Sequence, residues 1–227
     1  MKKISISIFS ILFALVLTST KLSAGSIGLG VSGSYMSIEA DGKETSDTTG
    51  SETDTSTNTK AVDNNVIIAG IYAEYVLDNG FAIGIESVPG SADVNSSTLS
   101  RTDATSDSNE SNQQDGTYKA NAEIENHYTY YVELHSEMGL YGKLGMAKVD
   151  IKTNDEDAGT ASTYPDVELD ATTYGIGYKG SFGDNGYFKI EGSITDYDSF
   201  SVTSGSTNTV KGDLDTTQAK FAIGYNF

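Results

Sequence analysis

Two histidines, eight charged residues on one parity and a complete lack of cysteine define the chemistry open to this chain of 227 residues. The carboxylates are Glu74, Glu86, Glu133 and Glu191, the ammonium groups Lys143, Lys179, Lys189 and Lys220, and the imidazoles His127 and His135. Carboxylates held out of water suit general acid–base work or a proton path. Without cysteine there is neither a disulfide scaffold nor a thiol nucleophile. The eight charges all fall on the polar face of alternating segments, four acids against four bases. That balance suits mutual pairing, because an unpaired buried charge costs several kcal/mol. The expectation is a structural ion-pair and hydrogen-bond network with Tyr72, Tyr131 and Tyr141 packed around it, and neither a catalytic nor a cofactor site. His127 and His135 share the same parity, but the strand between them puts them about 27 Å apart, too far to share a metal.

The elements that must position these charges are strands. Strict apolar–polar alternation marks a two-faced strand, and eight segments show it. The last sets Ala219, Phe221, Ile223, Tyr225 and Phe227 against Gln218, Lys220, Ala222, Gly224 and Asn226. Others set Phe188, Ile190 and Ile194 against Lys189, Glu191, Ser193 and Thr195, and Tyr128, Tyr130, Val132 and Leu134 against His127, Thr129, Tyr131, Glu133 and His135. The connections alternate short and long. Asp78-Asn79-Gly80 is a tight hairpin turn, with further short turns at 136–139 and 183–186. Between them, 41–63, 90–117, 153–168 and 202–213 read as long polar loops, with Pro89-Gly90 and Pro165 marking strand ends and loop turns.

A soluble sandwich would put polar residues outside and bulky ones inside. Here the apolar face carries Tyr and Phe towards its ends, as membrane girdles do, while the other face is Gly, Ser, Thr and charges. The fold class expected is all-β: an eight-stranded antiparallel up-and-down transmembrane β-barrel with short periplasmic turns and long extracellular loops. Residues 1–24 read as a cleaved signal peptide, with basic Lys2 and Lys3, an apolar stretch from Ile4 to Leu17 and Leu22-Ser23-Ala24 at the cleavage site. Residues 25–227 form the barrel domain. Cleavage removes Lys2, Lys3 and Lys21, so the 14 Lys and Arg fall to 11 against 32 Asp and Glu, and the net charge moves from −18 to −21. Such acidity excludes nucleic acid as a partner and suits divalent cations at the loops. Asp155-Glu156-Asp157 is the densest acidic run, but it lacks the spaced ligand pattern of a dedicated calcium loop.

Phe221, Ile223, Tyr225 and Phe227 resemble the closing strand of bacterial outer-membrane proteins, where a terminal aromatic with apolar residues at alternate positions is read by the barrel-assembly machinery. With the signal peptide and eight strands, the mature chain resembles the small barrels of the OmpA-like and opacity-protein porin superfamily. The resemblance implies a bacterial outer-membrane location, with membrane lipid and lipopolysaccharide as surroundings. The resemblance covers the barrel, and it carries no expectation of a periplasmic peptidoglycan-binding domain or of cell-wall anchoring. The expected function is non-enzymatic: a structural or surface-contact role through four acidic extracellular loops, with the oligomeric state open and a monomer favoured. The alternatives are a small porin-like channel and a lipid-modifying enzyme. Outer-membrane lipid hydrolases and acyltransferases use such barrels, and His127 with Thr129 is the one faint echo of their sites.

Overall fold

The computed structural model describes residues 25–46, 56–94, 99–104, 115–156, 164–203 and 209–227. The signal segment 1–24 and Asp157 lie outside the described residues. The strands are β1 (Ser26–Ser46), β2 (Ser56–Val76), β3 (Phe81–Asp93), β4 (Leu99–Ala104), β5 (Asp115–His135), β6 (Leu140–Glu156), β7 (Val167–Phe182), β8 (Gly186–Tyr197), β9 (Phe200–Thr203) and β10 (Thr209–Asn226). Eight of them are the staves of one antiparallel sheet in the order β1-β2-β3-β5-β6-β7-β8-β10, and β10 pairs with β1 to close it. The short strands β4 and β9 only extend outer hairpins, pairing with β5 and β10. Closure removes both sheet edges, which a strand bundle in lipid requires.

The three short turns each place a glycine at positive φ: Gly80 (84°), Gly139 (86°) and Gly183 (60°). This is backbone that a Cβ disfavours and a tight hairpin needs.

The regions read as loops at 41–63, 90–117, 153–168 and 202–213 are corrected: much of each is strand. β1 runs to Ser46, β2 starts at Ser56, β6 continues to Glu156 and β10 starts at Thr209. Pro89-Gly90 is neither a strand end nor a loop turn; it sits inside β3, at a register shift between Val88 and Ser91. The staves outrun the membrane: 21 residues of β1 cover about 70 Å along the strand, where a tilted membrane strand needs about 9–11 residues.

The physical reason lies in an inversion along each stave. In the lower half the outward residues are apolar and exposed, as with Ile27, Leu29, Val31 and Tyr35 on β1 or Tyr174, Ile176 and Tyr178 on β7. Higher up, the same strands turn apolar residues inward. Met36, Ile38, Val149, Ile151, Leu169 and Leu214 are buried together, while Glu39, Asp41 and Asp213 face out. The upper barrel is therefore built like a soluble protein and the lower barrel like a membrane one. Ser- and Thr-rich sequence that reads as loop forms strand here because its inward positions supply a core.

Candidate functional site: the barrel lumen

All eight charges assigned to the inward face point into the lower lumen, and seven are buried, with Lys179 partly so. They sort into two quartets. In the lower one, Lys189 Nζ pairs with Glu74 and, at 2.7 Å, with Glu133, while Lys179 Nζ donates to Glu74 at 2.7 Å. In the upper one, Lys220 Nζ lies 2.7 Å from Glu86 and 2.9 Å from Glu191, and Lys143 Nζ lies 3.4 Å and 3.1 Å from the same two carboxylates. Each quartet holds two acids and two bases, so each is neutral. Ser32 Oγ donates to Glu86 at 2.9 Å, and His135 Nε2 lies 2.9 Å from Glu133 Oε2.

Strand register explains the pairing. Lys220 and Glu191 are direct cross-strand neighbours on β10 and β8. Lys179 and Lys189 face each other on β7 and β8, a like-charge juxtaposition that destabilises a sheet unless a counter-ion serves both. Glu74, reaching across from β2, is that counter-ion.

Tyrosines join the quartets. Tyr131 Oη donates to Glu74 at 3.3 Å and Tyr141 Oη to Glu191 at 2.9 Å. Lys143 Nζ stands 4.4 Å from the Tyr131 ring centroid, within cation–π range. Tyr187 was absent from the expected set, yet its ring is fully buried with Lys179 Nζ 3.9 Å above it. The signal for it was the glycine opposite. Each of the four tyrosines around the quartets has a glycine as a cross-strand partner: Tyr72 with Gly30, Tyr131 with Gly84, Tyr141 with Gly177 and Tyr187 with Gly224. The glycines leave room for rings to lie flat on the wall. A Cβ at Gly177 would come within 2.6 Å of Tyr141 Oη.

Between the quartets, against Tyr72 and Tyr131, lies a cavity of about 10 Å³; one water needs roughly 10–15 Å³. The two histidines lie apart: His135 against Glu133 and Tyr141, and His127 higher, 6.4 Å from Tyr197 between ring centroids. Among the described residues no three His, Asp or Glu are placed to hold a metal ion. Phe221, Ile223 and Tyr225 line the outer face of β10 and Phe227 follows its end, all four exposed.

No protein-family model matches the chain, and no curated protein matches it. Among solved structures it is similar to the outer membrane protein OprG from Pseudomonas aeruginosa (13% identity, covering 90% of this chain and 97% of that one, TM-score 0.45). It is also similar to the Escherichia coli outer membrane protease OmpT (13%, 92% and 99%, TM-score 0.43). A third is Ail, the attachment invasion locus protein of Yersinia pestis, in complex with the heparin analogue sucrose octasulfate (13%, 86% and 99%, TM-score 0.40). At these identities and superpositions the likeness carries nothing about ligand or activity. The fold rests on the chain's own closed ladder and apolar belt: it is an eight-stranded antiparallel β-barrel of the bacterial outer-membrane type.

Proposed function

We propose that the protein is a non-enzymatic outer-membrane barrel, closed along its axis, that holds four acidic β-hairpins above the membrane for surface contact. The observation that carries this reading is the seal: two neutral ion-pair quartets with a cavity of about 10 Å³ between them, beneath a buried apolar cluster in the upper barrel. A solute passing down the axis would have to break both. The outward residues above the belt, among them Asp63, Glu39, Asp215 and Asp196 in successive register on β2, β1, β10 and β8, make the hairpins negative. Lipopolysaccharide and bridging divalent cations are the partners that this charge suits. Phe221, Ile223, Tyr225 and Phe227 serve as the signal read by the barrel-assembly machinery.

The test is planar-bilayer recording with purified, folded protein. No steady single-channel conductance is expected at physiological salt; stable steps would overturn the sealed lumen and favour the pore. Loss of a lipid acyl-transfer or hydrolysis activity on His127→Ala would overturn the non-enzymatic reading. For the assembly signal, Phe227→Ala should lower the amount assembled in cells while leaving refolding in detergent unchanged. An equal loss in both assays would make Phe227 a stability residue instead.

A further inference from the structure

Above the upper quartet the lumen opens into a cavity of about 160 Å³. Its floor is Glu86 and Lys143, its ceiling Met36, Ile124 and Tyr197. Its sides carry hydroxyls from four different staves: Thr129, Thr173, Thr195 and Thr216.

The cavity also passes through the wall. β1 and β2 pair along 21 residues, but β2 and β3 pair only from Val76↔Ala82 to Ile71↔Ser87. Higher up, Asn64 Nδ2 donates to the Asp93 carbonyl at 2.7 Å, so the gap is bounded above and below. Ile67 and Ala69, which face outward, line the same cavity as inward Ile68; across the gap, exposed Pro89 and Ser91 line it together with inward Val88. From the paired staves β7, β8 and β10 only inward residues line the cavity, so the mixed parity on β2 and β3 places its side opening where their pairing is missing. The cause is local. Pro89 has no N–H to offer, Gly90 stands at φ 95°, and the adjoining β5 bulges between Glu125 and Tyr128, with Asn126 at φ 51°. Bulges bend and twist a strand, and these two adjoin the place where β3 parts from β2. The mouth sits at the top of the apolar belt, since Ile67 pairs with Tyr35 and is 84% exposed.

We propose that this chamber is a dead-end binding site for a small neutral amphiphile of about the size of a phenol, which enters from the outer membrane boundary between β2 and β3. A cavity of about 150 Å³ holds a benzene ring, which sets the size. The floor charges are already compensated within the upper quartet, so a ligand charge would be buried without a partner and strongly disfavoured. Threonine hydroxyls and His127 meet a hydroxyl or carbonyl on the ligand, while Met36, Ile68 and Tyr197 meet its apolar body. The quartets below give it no onward route. This assignment is independent of what the hairpins contact.

Protein folded in phosphatidylcholine nanodiscs is titrated with 4-fluorophenol and followed by fluorine NMR, with empty nanodiscs as the reference for partition into lipid. Saturable binding above that reference is expected, and none for 4-fluorobenzoate, its anionic counterpart. Thr173→Val, which keeps the shape and removes one hydroxyl, should weaken binding about tenfold. Ile68→Trp should fill the chamber and abolish binding. Ala69→Trp, at the mouth, should slow exchange about tenfold with the Kd almost unchanged. Each variant is first shown to be folded by its gel shift on boiling. No excess over empty nanodiscs, or binding indifferent to both Thr173→Val and Ile68→Trp, overturns the site. Unchanged exchange in folded Ala69→Trp overturns the side entry.

Discussion

A tyrosine ring laid on a glycine is the recurrent contact of the lower lumen, and it makes those glycines sensitive out of proportion to their size. Gly84 faces Tyr131 across the β3–β5 ladder. Gly84→Ala would push the Tyr131 ring off the wall and away from Glu74, and overpacking of this kind costs about 1–3 kcal/mol. Urea unfolding of the barrel in lipid vesicles measures it; a neutral result would mean that the rings have slack. Lys189 is the more severe case. Among the described residues it alone pairs with both Glu74 and Glu133, and Lys189→Met strands buried carboxylate, with an expected loss of about 3–5 kcal/mol. Lys189→Met combined with Glu133→Gln should cost less than the sum of the single changes, because the pair acts as a unit; strict additivity would show that the two do not interact. At the surface the sign reverses. Partial desolvation, followed by the neighbouring Asp196 and Glu39 carboxylates, raises the Asp215 carboxyl above its usual range. A carboxyl that holds its proton more tightly when folded costs stability once ionised, fully so above its folded pKa, and that cost disappears as pH falls. Asp215→Asn should therefore stabilise the barrel slightly at pH 7, by about 0.3 kcal/mol given its exposure. The gain should vanish near pH 3, where most Asp is protonated in either state; a gain that persists there would exclude charge repulsion as its cause.

At the scale of elements, the lower barrel was legible because its alternation is stark and its turns carry Asn-Gly or Gly at fixed places. Glu74, Glu86, Glu133 and their lysines could be put on one face from parity alone. What parity could not give was partner identity: Lys179 and Lys189 are neighbours in register yet bind a carboxylate 105 and 115 positions away in sequence, and only closure of the barrel brings Glu74 to them. The upper staves were missed for a different reason. Their outward face is Ser, Thr, Asp and Asn, the composition of loops, and their inward face is thinly apolar, with Met36, Ile38 and Ala40 on β1. Pro89-Gly90 was misread because a bulge and a strand end share the same residues. The inversion makes an opposite pair of predictions on one strand. Leu29→Lys places a charge in lipid and should cost about 2–4 kcal/mol towards the midplane. Glu39→Lys, outward but above the belt, should be near neutral. Ile38→Lys, one residue away and 0% exposed, should prevent folding of the outer hairpin, read as protease cleavage above the membrane with the lower barrel intact. Equal tolerance at positions 38 and 39 would refute the inward apolar core.

For the molecule as a whole, the decisive fact is where the net charge lies. The lumen charges cancel within their quartets, so the net charge of residues 25–227, with 11 Lys and Arg against 32 Asp and Glu, lies outside those quartets. A field of that sign opposes entry into an anionic bilayer, and its reach falls from about 30 Å at 0.01 M salt to about 8 Å at 0.15 M. Refolding into phosphatidylglycerol vesicles should therefore be slow at low salt and rise several-fold at 0.15 M, since steering rates respond steeply to ionic strength. Magnesium should exceed sodium chloride at matched ionic strength, because it can bridge a hairpin carboxylate to a lipid phosphate. In phosphatidylcholine vesicles the same titration should change little. The urea midpoint of the folded barrel should also move little with salt, because buried pairs are screened far less than exposed ones. A strong salt effect on that midpoint would place the charge balance of the lumen in doubt, whereas equal salt response in both vesicle types would show that the hairpin field does not govern insertion.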